Sequence, residues 1–432
     1  MKYRASISTA HNDPRALEEL YRAARRAHEV AEFTSDLATC YEQAPDNVLY
    51  AAWHCRLQPA IEEQAAGLGT HWLLAIPLSL ASALVFWLLS AGQFEFRDGM
   101  PYLIMIGAPL AALSIIAFLA LLAGSGRRRA LAVSAGLVAL TLYAFLLALR
   151  PGALGYRTLM LFHLPLLAAI AVWLALLGRK GDAENLFAVL VKSIEVLITG
   201  GVFVIVGGMF MMIGFGMFAA LNVWIPNQLM QRLILTGAGA IPVLAVATVY
   251  DPRLRPVEQK FEQGLGKLVP IVTRLLLPLT LLVLVTYLVV IPFRFMEPFR
   301  NREVLIVYNA MLFAIMGLLV GVTPMQGDEL PRGLQRALRT GILAVAALTV
   351  VISVYALSAT VYRTVLGGIT MNRLTVIGWN TINIAILGLF LYRQAKDGPR
   401  AWVRSLQRVA AVGIIGYVVW TVFLVVAIPW VF

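Results

Sequence analysis

The run VLITGGVFVIVGGMFMMIGFGMFAA, Val196 to Ala220, holds 25 residues and no Asp, Glu, Lys or Arg. A helix of that length, at 1.5 Å per residue, crosses the roughly 30 Å of a bilayer's hydrocarbon core. It has no polar face to turn toward water, so it is read as a membrane span. Apolar runs of similar length stand before and after it. Trp72–Ala91, Pro101–Ala123, Ala130–Leu149 and Thr158–Leu177 precede it. Leu233–Val249, Leu275–Phe293, Val304–Thr323, Gly341–Val361, Leu374–Tyr392 and Val409–Phe432 follow. The expectation is an all-α polytopic bundle of about eleven transmembrane helices over residues 71–432, behind a small soluble helical region over residues 1–70. Residues Asn185 to Glu195 extend the fifth span backward as an amphipathic helix expected to run along the interface.

Composition agrees. Of the 432 residues, 60% are hydrophobic and 13% charged, against roughly 25% charged in soluble domains. The mean hydropathy is +0.80. A larger core cannot explain that shortfall, because a larger core still needs a charged skin. The net charge of +12 reads as Lys and Arg gathered on one side of a bilayer rather than as a nucleic-acid footprint, since no soluble basic helix is interleaved with aromatics.

The loop charges set the expected orientation. With the N-terminus in the cytoplasm, the inner loops hold Arg127, Arg128, Arg129, Arg179, Lys180, Lys192, Arg253, Arg255, Lys260, Lys267, Arg332, Arg336, Arg339, Arg393, Lys396, Arg400, Arg404 and Arg408. The outer loops hold half as many: Arg97, Arg150, Arg157, Arg232, Arg294, Arg300, Arg302, Arg363 and Arg373. The positive-inside rule therefore places the N-terminus inside and Phe432 outside, periplasmic or extracellular. Residues 1–70 have no early apolar stretch, so no signal peptide is expected and the first span directs insertion.

Within residues 1–70, Asp13 is a candidate N-cap with Pro14 at the first helical position. Leu17, Leu20, Tyr21, Ala24 and His28 share a face, and the helix is expected to stop near Ala44-Pro45. A second helix after Asp46-Asn47 carries Leu49, Trp53 and Leu57. The pair is either part of a tetratricopeptide-like unit or a hairpin packed on the membrane domain. Cys40 and Cys55 form no CxxC pair and have no ligand partners at metal spacing, so no metal or cofactor is expected.

Gly200, Gly207 and Gly214 repeat every seven residues along the fifth span, with Gly201 and Gly208 one step on. Such a stripe predicts close helix packing, with Gly207→Leu disruptive, or else a hinge or ligand path. Met209, Met211, Met212 and Met217 around it read as gap fillers. No Asp, Glu or Lys stands well inside a span. Lys192 and Glu195, at its edge, are three apart and expected to pair. Asn309, Asn380 and Asn383, with Thr381 nearby, are neutral polar residues that enter the spans; they predict interhelical hydrogen bonds or the floor of a polar cavity. Pro242 and Pro278 are expected kinks. No catalytic signature is present, so a non-enzymatic role is expected.

The loop before the tenth span reads Arg363-Thr-Val-Leu-Gly-Gly368-Ile-Thr370-Met-Asn372-Arg373. Gly367-Gly368 permit a positive-φ turn, Thr370 can cap the next helix, and two guanidinium groups stand at the outer interface. The loop resembles one in an uncharacterised family of bacterial polytopic membrane proteins, the domain of unknown function 4153 type. The family pattern runs Arg, then Tyr-Gly-x-Thr, then Asn-Arg; Arg363, Gly368, Thr370, Asn372 and Arg373 fit it, and Gly367 replaces the Tyr. The resemblance extends over about Leu186 to Tyr392. It implies a bacterial inner membrane and no particular activity. Three roles follow as expectations: binding of anionic lipid or another membrane protein, transport of a neutral or lipid-like molecule, or, less favoured, lipid modification.

Overall fold

The structure is a computed structural model and describes residues 2–26, 29–65, 70–91, 94–96, 99–123, 126–177, 182–261, 266, 268–325 and 331–432. His28, Arg97, Arg179, Lys180 and Lys267, invoked above, lie outside the described residues. Among the described residues the chain is helical throughout and forms two compact units, Met1–Leu74 and Ala75–Phe432.

The N-terminal unit has four helices where two were expected: α1 (Arg4–Thr9), α2 (Pro14–Arg26), α3 (Val30–Gln43) and α4 (Val48–Ala65). Asp13 caps α2, its Oδ1 accepting from the amides of Arg15 (2.9 Å) and Ala16 (3.2 Å). Asn47 caps α4 in the same way through Leu49 and Tyr50. In place of the expected single helix from Pro14 to Gln43 there are two, and Glu29 stands before α3 outside the helical conformation, at φ −110° and ψ 26°. Its carboxylate takes Lys2 Nζ at 2.6 Å and Tyr3 Oη at 2.6 Å, drawing the chain end onto the break. Those hydrogen bonds, Lys2 first, hold the Glu29 carboxyl below the usual carboxylate range. Leu17, Ala24, Phe33, Leu37, Trp53 and Leu57 form a buried core, so the unit carries its own hydrophobic centre.

Among the described residues eleven helices are long and apolar enough to cross a membrane; the first starts within the last residues of the N-terminal unit and the other ten lie in the second unit. They are α5 (Thr70–Leu89), α6 (Tyr102–Leu122), α7 (Arg127–Ala148), α8 (Leu154–Leu177), α9 (Ala183–Ala220), α10 (Asn227–Val249), α11 (Leu268–Val290), α13 (Arg302–Val322), α14 (Arg332–Gly367), α15 (Met371–Asp397) and α16 (Trp402–Val426). Short helices α12 (Glu297–Arg300) and α17 (Ile428–Val431) complete the order. The chain is therefore a multi-pass membrane protein. Pro242 and Pro278 lie inside α10 and α11, which run on through them.

Two apolar cores hold the bundle. One joins α6, α7 and α8 to the end of α16 around Met160, Leu164 and Leu424. The other joins α9, α11, α13, α14, α15 and the start of α16 around Phe187, Leu284, Ile342 and Val345. Residues Asn185 to Glu195 do not run along the interface. They are collinear with the rest of α9, a 38-residue helix, and Phe187, Ala188 and Val189 are buried in the bundle. Burial of those apolar side chains outweighs what an interfacial position offers.

The glycine stripe is corrected in the same helix. A Cβ added at Gly200 lies 3.8 Å from Ile241 and Ala245 of α10, an ordinary contact. At Gly207 and Gly214, as at Gly201 and Gly208, an added Cβ meets nothing within 4 Å. At 1.5 Å per residue α9 is roughly 57 Å long, nearly twice the hydrocarbon thickness, and its second half leaves the core. Phe210, Met212 and Met217 are exposed there. Gly207→Leu is accordingly expected to leave the thermal unfolding midpoint of the purified chain within about 2 °C of wild type, because a surface change away from contacts costs at most about 0.5 kcal/mol. A drop beyond about 5 °C in detergent would show that α9 packs where the structure leaves it open.

Candidate functional site

Four helices meet at one end of the bundle: the starts of α8, α13 and α15 and the end of α14. Between them lies a cleft of about 1110 Å³. The loop motif builds its mouth. α14 ends at Gly367, and Gly368 takes φ +74°, a left-handed conformation that costs glycine little. Thr370 then caps α15, its hydroxyl accepting from the Arg373 amide at 3.4 Å. This turn sets Thr370, Asn372 and Arg373 on the cleft wall.

Three arginines line the cleft: Arg302 at the first position of α13, Arg363 near the end of α14 and Arg373 in the first turn of α15. Arg363 Nη1 donates to the Arg300 carbonyl at 3.0 Å, tying α12 to α14. Arg373 Nη1 donates to the Gly368 carbonyl at 2.5 Å and so braces the turn. None of the three forms an ion pair with a described carboxylate. The arrangement concentrates positive charge at one end of an apolar trench.

Below the arginines the walls are Leu159, Phe162 and Leu166 of α8, Leu305, Ile306 and Phe313 of α13, and Val376 of α15. Trp379 also lines the cleft and is buried. Its ring lies 5.5 Å from Phe313 and 5.9 Å from His163, centroid to centroid. The Trp379 indole donates to His163 Nε2 at 3.1 Å. An indole nitrogen can only donate, so Nε2 is the acceptor and Nδ1 carries the hydrogen it gives to the Leu159 carbonyl, 2.7 Å away. His163 is thus a neutral imidazole with both nitrogens engaged. Along α13 the cleft runs eleven residues from Arg302 to Phe313, about 16 Å, which matches one leaflet's half of the hydrocarbon.

The three asparagines are not brought into one seam. Asn309 lines the cleft, with Nδ2 donating to the Leu305 carbonyl of its own helix at 2.7 Å. Asn380 is buried beside a separate small cavity with Thr349 and Ser353. Asn383 accepts from the Tyr417 hydroxyl of α16, an interhelical hydrogen bond. Thr381 donates within its own helix, to Ile377. Lys192 and Glu195 pair as expected, at 2.7 Å, far from this cleft on α9.

His163, Trp379 and Phe313 were not singled out in the sequence, and Arg302 was named only as one of the outer-loop arginines. A histidine in mid-span among Leu and Ala is the one visible signal, because ionisable side chains are costly in hydrocarbon. Among the described residues, no group of three or more His, Cys, Asp or Glu could hold a metal ion. No family model, curated protein or solved structure matches the chain.

Proposed function

We propose that this chain binds an anionic amphiphile, a phospholipid or a lipid-linked phosphate, with its head group at Arg302, Arg363 and Arg373 and its acyl chain in the cleft. The observation that carries this is the placing of three guanidinium groups, none matched by a carboxylate, above an apolar trench one leaflet deep. Each guanidinium can fork onto phosphate oxygens, while a chain of methylenes replaces lipid contacts along Phe162, Ile306 and Phe313. The arginines on that side also gain a reason, since the positive-inside rule disfavours them in outer loops. The setting is a bacterial inner membrane with the N-terminus cytoplasmic and the C-terminus periplasmic, as the charge count and the family resemblance imply.

The apolar lining favours a binding role over passage of a polar solute, and the fully engaged imidazole of His163 favours it over acid–base chemistry. The test is native mass spectrometry of the purified chain and its variants. Arg373→Lys keeps the charge and loses the fork, so lipid retention is expected to fall about threefold; Arg373→Ala is expected to lower it about tenfold. Phe313→Trp, which fills the trench without touching charge, is expected to lower it as well. Unchanged lipid content in all three variants would reduce the arginines to interfacial anchors.

A further inference from the structure

We infer that the opposite end of the bundle holds a second anion site, built for a phosphate group carried by a membrane lipid or free in solution. There α6 ends, α7 begins and α8 ends, and the segment Tyr250–Pro256 after α10 closes over them, leaving a cavity of about 170 Å³. That space is large enough for a phosphate group with ordered water around it.

Arg129, Arg253 and Arg255 line this cavity, and among the described residues no carboxylate does. Arg129 is the informative member. Its Nε is shut off from solvent and has no hydrogen-bond partner although the residue as a whole is only part-buried, which leaves a donor open to a ligand oxygen. Arg255 is oriented by Glu258, whose Oε1 accepts from Nε at 3.0 Å and from Nη2 at 2.7 Å. Asp251, the nearest carboxylate in sequence, is engaged in its own loop, where Oδ1 accepts the Arg253 amide at 3.0 Å. Leu119 and Leu176 form an apolar shoulder, which suits a lipid's glycerol end beside its phosphate. Guanidinium groups are the side chains best matched to such an anion, because they bond phosphate oxygens in pairs.

The site is independent of the cleft at the other end, and the test keeps the two apart. The full chain carrying Arg373→Ala is reconstituted in nanodiscs of either phosphatidylglycerol or phosphatidylcholine, and retained lipid is counted by native mass spectrometry. Thermal unfolding is followed in parallel against added inorganic phosphate. Expected is one retained phosphatidylglycerol per chain, lowered about tenfold by Arg129→Gln and partly restored by Arg129→Lys. Stabilisation by inorganic phosphate without lipid retention, again lost in Arg129→Gln, would identify free phosphate as the ligand. If Arg129→Gln does not fold, Arg253→Gln in the covering segment reports in its place. Equal lipid retention and an equal phosphate response in wild-type and variant arginine backgrounds would overturn the site.

Discussion

Lys192→Met is expected to destabilise the bundle by about 3–5 kcal/mol, while Lys192→Met combined with Glu195→Leu is expected to recover most of that loss. Both side chains are buried, and Lys192 Nζ donates to Glu195 Oε2 at 2.7 Å. The same ammonium donates to the Lys260 carbonyl at 2.5 Å and lies 4.9 Å from the Phe261 ring centroid, so it also pins the segment after α10 against α9. Removing the lysine leaves a carboxylate in a dry site with no partner. Removing both leaves an apolar contact and takes the ammonium from the Val249 and Lys260 carbonyls, and that second term is why recovery is incomplete. The measurement is the unfolding midpoint of the three purified proteins in one detergent. A single variant as stable as wild type, or a double variant no better than the single, would show that the pair is solvated in practice.

The spans were legible because twenty apolar residues in succession have few alternatives to crossing a bilayer. What lay beyond each span was less legible. α14 starts at Arg332, well before the apolar run at Gly341, because arginines at a helix end reach the interface without breaking the helix. The loop at Arg363–Arg373 could be read in detail, since a glycine turn and a threonine cap are local devices and both stand where expected. Its partners could not, because Arg302 and His163 come from helices distant in sequence and only packing brings them to one cleft. Asn380 and Asn383 show the same limit: spacing of three suggests a shared face, yet one lines a cavity and the other meets Tyr417. Glycine spacing misled most. A regular stripe in α9 faces open space, whereas isolated glycines with no visible period make the close approaches: Gly239 onto Phe86, Gly341 onto Leu277 and Gly413 onto Ile386. Periodicity reports which residues share a side of a helix; only the neighbour's position says whether anything is there.

The tightest approach at any described glycine, at Gly378, yields the sharpest expectation. A Cβ added at Gly378 of α15 would lie 1.9 Å from Cζ2 and 2.2 Å from Cε2 of Trp420 on α16, a distance no real contact shows. The obstacle is the body of an indole, not the tip of a flexible chain, and that indole is stacked at 5.0 Å on Phe423. Either the ring turns out of its place or the two helices separate. Helices in lipid hold together through such packing, with no hydrophobic force between them to compensate. Overpacking of a well-filled contact costs about 1–3 kcal/mol and occasionally more, so Gly378→Ala is expected near or above the top of that range. Gly207→Ala, the same change in open space, is expected to be neutral or to gain up to about 1 kcal/mol from helix propensity. Shrinking the obstacle, in Gly378→Ala with Trp420→Leu, is expected to restore most of the loss, which a merely local backbone effect at residue 378 would not allow. Thermal unfolding of the single and double variants decides the matter: a Gly378→Ala protein as stable as wild type, or a double variant that fails to recover, would mean that α15 and α16 do not meet at this glycine.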